Sequence, residues 1–380
     1  MRKSPKILIV GSLDSIHLLL LMKNVKLIDP QIQLFALNMG ELKFPEFKNY
    51  CVILNEKKIV PSVLLEIRFI RRFFFKLENY LLLKSIKQRF DLINVHFVTD
   101  FWILQDKKYK SLSDKLLLTP WGSDVLRINS KQKERIQHVY DEADYVSAMP
   151  GAFWDTVKLK FNVPNSKFVK LNHGSSMIDY INTHSNYTKD EAKHALGLSD
   201  KMIITCGYNG HEAQNHINII KSIASVKEQL PQNLFLILPM TYGGTKRYRD
   251  KVKSFLDDNC LQYKIYDSFL GEEALFDLRK ASDIFIHAQP TDGDSGSLQE
   301  YLLCGCKVIN GKWTRYPKLE TNGVPYCIFN SFDELGEKIV EVYFRKYKII
   351  VPDETYNQIR TKAWSVVAQG WVDFYNSVVN

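Results

Sequence analysis

The residues best suited to chemistry lie in Gln289-Pro-Thr-Asp292-Gly-Asp-Ser295-Gly296-Ser297-Leu298-Gln-Glu300, where Asp292 and Glu300 flank a turn rich in glycine and serine. Backbone N–H groups from Ser295, Gly296, Ser297 and Leu298 would open a helix there, and such an N-terminus accepts a diphosphate or a sugar hydroxyl. Glu300 falls about one turn further on, where an ionised carboxylate can accept two hydrogen bonds from a ribose diol. Taken alone, it reads first as a capping or salt-bridged residue.

A second group could handle a hydroxyl. His96, Trp121-Gly122-Ser123-Asp124 and His173 each follow a short apolar run, and Asp124 or His96 could orient or deprotonate an attacking hydroxyl within hydrogen-bond reach. Asp124 is the first choice for that role. The plainer reading makes Gly122 and Asp124 a turn and helix cap, and His173 a structural histidine.

These residues must be placed by elements that the periodicity predicts. Strands read at Lys6–Val10, Gln33–Leu37, Tyr50–Leu54, Asp91–His96, Lys115–Thr119 and Asp144–Met149, with helical stretches between most of them. The pattern restarts at Met202–Cys206, Leu234–Pro239, Gln262–Asp267, Asp283–His287 and Lys307–Asn310, with helical segments such as His216–Glu228 between. Apolar strands alternating with helices imply parallel sheets covered on both faces, hence two αβα domains. Their ligands belong outside the carboxyl ends of the strands, where the candidate residues stand. The polar stretch Asn182–Asp200 suits a connection and puts the boundary near residue 185. Domains of 1–185 and 186–353 follow. A last amphipathic helix, 354–379, has two placements, on its own domain or back on the first.

At 380 residues the chain is long for one core. Six cysteines without paired metal spacing read as buried thiols. Net charge is +9, which favours an anionic partner. No run reaches the ~18 apolar residues of a membrane span, and the expected location is the cytoplasm.

Placed in this frame, Asp292, seven intervening residues, Glu300 and the following Tyr301-Leu-Leu-Cys-Gly-Cys-Lys-Val-Ile309 resemble the signature of family 4 of the GT-B glycosyltransferases. Asp91–His96 is similar to that family's strand ending in histidine, and Thr119-Pro-Trp-Gly-Ser-Asp124 to its Thr-x-His-Gly-x-Asp. The segment Glu191–Leu198 before Met202–Gly207 resembles the opening of its nucleotide-binding domain, and Trp364–Tyr375 its closing helix. The resemblance implies a GT-B fold, with two doubly wound parallel-sheet domains facing each other across a cleft. It also implies a nucleotide-diphosphate sugar as donor, Asp292 on the donor sugar, Glu300 on the ribose, and Gly11 with the backbone of 295–298 near the donor. Trp121, Gly122, Ser123 and His173 would then line the acceptor side.

The sequence departs from that family in three places. Asp stands for Glu at 292, Trp121 for His, and the Arg and Lys that follow the second domain's first strand are missing. That region reads Gly207-Tyr-Asn209-Gly-His-Glu-Ala-Gln-Asn215-His216 and, with Leu238-Pro-Met-Thr-Tyr-Gly-Gly244 and Tyr248, resembles the inverting transferases that add 4-acetamido fucose to enterobacterial common antigen lipid. A leaving diphosphate needs cations or dense donors. His216, Lys246 and Arg247 are the candidates, with Asn209 and Asn215 assisting. No Asp-x-Asp pair ends a strand, so no metal or other cofactor is expected.

A basic, aromatic segment over 62–89 has Val63, Ile67, Ile70, Phe74, Leu77 and Leu81 at helical steps among Arg68, Arg71, Arg72, Lys76, Lys84, Lys87 and Arg89, with Phe69, Phe73 and Phe75 beside them. Such a helix can lie on anionic lipid, each cation contributing roughly 1 kcal/mol, or pack its apolar face under the first domain's sheet with its arginines solvated; the exposed Phe69, Phe73 and Phe75 favour the lipid. The combined expectation is a glycosyltransferase, retaining by the family 4 resemblance and inverting by the other, peripheral on the inner face of the plasma membrane, acting on a glycan or lipid-linked acceptor and not on nucleic acid. Two alternatives share the fold: a sugar-nucleotide epimerase, and a catalytically silent subunit of a glycan assembly complex.

Overall fold

The computed structural model describes residues 4–56, 71–99, 106–148, 152–292 and 294–379. The chain divides into two units, Met1–Gly174 with Trp364–Asn380, and Ser175–Ala363.

In the first unit the strands are β1 (Lys6–Gly11), β2 (Gln33–Asn38), β3 (Val52–Ile53), β4 (Leu92–His96), β5 (Leu116–Thr119), β6 (Tyr145–Ser147) and β7 (Phe168–Val169). They form one sheet in the order β3-β2-β1-β4-β5-β6-β7, and each pairing is parallel. Ile7 and Ile9 of β1 enter one core while Leu8 and Val10 enter the other. Burial on both faces is why β1 is an unbroken apolar run. Register sets Gly11 beside Asn38 and His96 beside Thr119, so the carboxyl ends finish level.

In the second unit β8 (Met202–Cys206), β9 (Leu234–Pro239), β10 (Tyr263–Tyr266), β11 (Ile284–His287), β12 (Lys307–Gly311) and β13 (Cys327–Phe329) pair in the order β10-β9-β8-β11-β12-β13, again all parallel. The order reverses between β8 and β11, the position at which open sheets of this kind bind ligands. The short strands β7 and β13 were not among those expected. At two and three residues, neither carries a periodicity of its own.

Three expectations about organisation are corrected. The boundary falls at Gly174, not near 185, because the helix Ser176–Thr183 buries Met177, Ile178 and Ile181 within the second unit. Ile178 shares a core with Leu278, Leu298, Tyr301 and Ile359. The helix expected over 354–379 is two helices, Asp353–Arg360 and Trp364–Ser377, in different units. Between them, Lys362 O accepts from Ser175 N at 2.9 Å and Ala363 bridges to Ser175, so the backbone there serves a crossing in place of a helix. Trp364, Trp371 and Tyr375 are buried beside Ile7, Ile9 and Leu21, on the helix Ile16–Ile28. Trp371 Nε1 donates to Asn172 O at 2.7 Å, and Asn94 Nδ2 to the Tyr375 hydroxyl at 3.0 Å. Lastly, the helix His216–Ser225 stops three residues short of Glu228 and continues as a tighter turn.

Of the basic segment over 62–89, residues 62–70 lie outside the described residues. The described helix is Arg71–Ser85. Leu82 and Leu83 are buried in the first unit's core, Phe74 and Leu77 are half-buried, and Phe73 is 64% exposed. Of the cysteines, Cys206, Cys304, Cys306 and Cys327 are buried and Cys51 half-buried, whereas Cys260 is exposed, so not all the thiols are core residues.

Candidate functional site

In the second unit the candidate residues gather at the carboxyl ends of β8, β11 and β12. Beyond β8 the chain turns at Gly207, whose φ of +65° favours glycine. A Cβ there would meet Gln214 Oε1 at 2.9 Å. The loop then runs to Asn215, held in the left-handed region and tied to β11 by its Nδ2 donating to Ala288 O at 2.8 Å. A close backbone contact fixes the middle of the loop: Gly210 N donates to Tyr242 O at 2.7 Å, and a Cβ on Gly244 would fall 1.9 Å from Gly210 O.

This loop brings Tyr208 to Asp292. The Tyr208 hydroxyl lies 2.9 Å from Gln289 Oε1 and 3.0 Å from Asp292 Oδ2. His287 Nε2 stands 3.5 Å from the same Oδ2, and His287 Nδ1 is 2.8 Å from Asn310 Oδ1. Asn310 Nδ2 donates to Thr314 O, which leaves its Oδ1 to accept the proton of His287 Nδ1. Burial pushes the Asp292 pKa up, but the neighbouring His287 ring, the Tyr208 hydroxyl and the Asp294 N–H together hold it below the usual carboxylate range. Oδ1 carries only the 3.3 Å bond from Asp294 N, leaving it as the oxygen open to a hydroxyl.

The helix Gly296–Leu303 begins at Ser295, whose Oγ accepts from Leu298 N at 3.3 Å. Gly296 and Ser297 are its first residues, with N–H groups that have no helical partner. Glu300 is buried one turn in: Oε1 accepts from the Ser175 hydroxyl at 2.7 Å, and Arg279 Nη2 lies 2.5 Å from Oε2. Each oxygen keeps a lone pair for a further donor. Oε1 is 3.9 Å from where a Cβ on Gly296 would be, so the carboxylate lies just under the helix start. Asp294, the other half of the Asp-x-Asp, is bound by Lys362 Nζ and Gln299 Nε2.

The remaining donor-side candidates are placed less centrally. Asn209 is buried and accepts from His211 N at 2.9 Å. His216 Nδ1 lies 3.3 Å from the Tyr248 hydroxyl, and burial pushes its pKa down to about 4, so it is uncharged at neutral pH. Lys246 and Arg247 are exposed at the start of the helix Lys246–Asp258.

In the first unit, the carboxyl ends of the sheet carry a ring cluster. The centroid of His96 is 5.6 Å from His173, that of Trp121 is 5.1 Å from His173, and His17 lies 5.7 Å from Trp121. Trp121 Nε1 donates to His96 Nδ1 at 3.3 Å, so the proton of neutral His96 sits on Nε2, which has no partner. Both ring nitrogens of half-buried His173 are likewise shielded from solvent and without partners. Gly11 leaves no room for a side chain, since a Cβ would meet Leu18 Cδ1 at 2.7 Å and His96 Cβ at 3.4 Å. Asp124 is placed apart from this chemistry. Its Oδ1 accepts from Trp121 N and Gly122 N and its Oδ2 from Val98 N, at 2.8–2.9 Å, so it shapes the turn at Gly122, where φ is +130°. Ser123 is exposed.

Sequence reasoning did not find Arg279, Tyr208, Gln289, His287 or Ser175. Arg279 had a signal: it lies three residues after Phe276 on the buried face of an amphipathic helix, where a cation needs a partner. The others become neighbours only because β8 lies beside β11.

No protein-family model matches the sequence, and neither does any curated protein sequence. Solved structures do. A glycosyltransferase from Rickettsia africae superposes with a TM-score of 0.69 at 14% identity, over 100% of this chain and 99% of that one. Anabaena HepE in complex with UDP and glucose gives 0.63 at 15%, over 98% and 97%. Sucrose-phosphate synthase from Thermosynechococcus elongatus gives 0.70 at 11%, over 98% of each. The likeness is one of fold: the two parallel-sheet α/β domains are of the GT-B class.

Proposed function

We propose that this chain transfers a sugar from a nucleoside-diphosphate donor to a hydroxyl of a lipid-linked glycan acceptor, in the synthesis of a bacterial surface polysaccharide or glycoconjugate. Retention of anomeric configuration is what the family 4 resemblance implies. The observation that carries the reading is the buried Glu300 carboxylate, one turn below the open N-terminus of Gly296–Leu303 at the strand-order reversal of a GT-B sheet. The binding of UDP and glucose by HepE, which shares the fold, supports a sugar-nucleotide donor.

In this reading the ribose diol donates to the remaining lone pairs of Glu300, while the N–H groups of Gly296 and Ser297 meet the diphosphate. A hydroxyl of the donor sugar donates to Asp292 Oδ1, which stays ionised because His287 and Tyr208 hold Oδ2. The acceptor hydroxyl is assigned to His96 Nε2 and to the His173 ring, which have no hydrogen-bond partner, in preference to Asp124, whose oxygens are occupied. The reaction needs no metal: Lys362 and Gln299 already bind Asp294, so Asp292-Gly-Asp294 is not offered as a paired ligand.

A thermal-shift screen of UDP-, GDP- and dTDP-sugars in EDTA tests this, because a ligand that binds only the folded state raises stability. One sugar nucleotide should raise the midpoint, and Glu300→Ala should remove the rise. No shift with any donor sinks the proposal, and a shift that appears only with added divalent metal sinks its metal-free form.

A further inference from the structure

Sugar transfer breaks the bond between the anomeric carbon and a phosphate oxygen, and the electron pair stays on that oxygen. The departing diphosphate therefore needs positive charge near it. His216 is uncharged, and Lys246 and Arg247 stand in solvent, where a charge contributes little.

A better-placed cation lies under the site. Among the described residues, Arg279 is the one lysine or arginine that is buried, at 7% exposure. Its Nη2 pairs with Glu300, while Nε and Nη1 have no hydrogen-bond partner. Leaving such donors unpaired in the interior is costly, and a guanidinium fork is the shape that meets phosphate oxygens two at a time. The Glu300 carboxylate links this fork to the helix N-terminus, with Oε2 on the guanidinium and Oε1 beneath Gly296.

Building on the nucleoside-diphosphate reading above, we infer that Arg279 is a diphosphate-binding residue that takes the place of the cations missing from the 207–216 loop. Glu300 then has two tasks, holding the guanidinium beneath the site and receiving the ribose. The two contacts divide the ligand, since Arg279 reads the phosphates and Glu300 the nucleoside.

Calorimetric and ligand-observed NMR titrations of the full chain with UDP and with uridine separate these contacts; the GDP or dTDP pair is used instead if the screen selects that base. Arg279→Gln should weaken UDP tenfold or more and leave uridine within about twofold, whereas Glu300→Gln should weaken both. Because Arg279→Gln leaves Glu300 buried without its ion pair, the neutral double variant Arg279→Gln/Glu300→Gln guards against misfolding. Its preference for UDP over uridine should be at least tenfold smaller than that of the wild type, the remainder coming from the N–H groups of Gly296 and Ser297. An Arg279→Gln protein with wild-type UDP affinity overturns the inference, as does a double variant that keeps the wild-type preference for UDP over uridine. A wild-type chain that binds neither ligand overturns the sugar-nucleotide reading itself.

Discussion

Burial sets the charge state of the histidines and gives the fold an acid limit. Desolvation pushes His173 down to about 3, with His17 adding to the shift, and His216 down to about 4, both from an ordinary 6.5. The sign follows directly: below pH 6.5 the unfolded chain takes up protons that the folded chain refuses, so stability is present above 6.5 and lost as pH falls toward 4. At pH 5 each such histidine costs roughly 2 kcal/mol. Asp124, whose carboxyl burial pushes up to about 6, works in the opposite direction and offsets part of this. The expected result is a thermal midpoint that falls less between pH 7 and pH 5 in His173→Asn than in the wild type; equal falls would reject the account. The family resemblance singled out Asp292 and Glu300 in the sequence, and the place of Glu300 one turn into a helix is a local relation. Tyr208, Gln289 and Arg279 were not legible, because strand order and helix packing bring them to Asp292 and Glu300.

The helix Arg71–Ser85 is the element whose role depends most on what surrounds it. Leu82 and Leu83 anchor its last turn in the core, while Phe73, near the start, stands 64% exposed in a run of basic residues. We expect this end to rest on anionic lipid. Sedimentation with vesicles should show binding to phosphatidylglycerol-containing but not phosphatidylcholine vesicles, reduced by salt. Phe73→Ser should weaken it by about tenfold, the worth of one aromatic ring withdrawn from water. Equal binding to neutral and anionic vesicles would sink the idea. Strands were easier to read than helices, since burial on both faces leaves an unbroken apolar run. An amphipathic helix such as Trp364–Ser377 shows one apolar stripe and does not say which sheet it covers.

At the scale of the molecule, the first unit is closed by residues from the far end of the sequence. Trp364, Ala368, Trp371 and Tyr375 cover the face of the sheet that Ile7 and Ile9 present. Only glycine fits at 174, because a Cβ there would meet Trp364 Cγ at 2.7 Å. Ending the chain after Ala363 should therefore unmask that apolar face and leave the first unit insoluble or molten, while Trp371→Ala alone should cost about 3–5 kcal/mol. Melting followed by circular dichroism and dye binding reads both, and a truncated chain with native stability would contradict the packing. The two-sheet plan could be read from alternating elements, but the crossing could not, because it depends on backbone pairing at Ser175 and Ala363.

That pairing sets the two ends of Ser175–Ala363 side by side. A segment whose entry and exit adjoin behaves as an insert, removable or replaceable through a single doorway without rethreading the host. The residues assigned to the donor all lie within it, apart from Gly11, and those assigned to the acceptor all lie outside. In the proposed reading, donor choice and acceptor choice are separately inheritable, and one contiguous stretch of coding sequence is enough to graft a new sugar preference onto an unchanged acceptor unit.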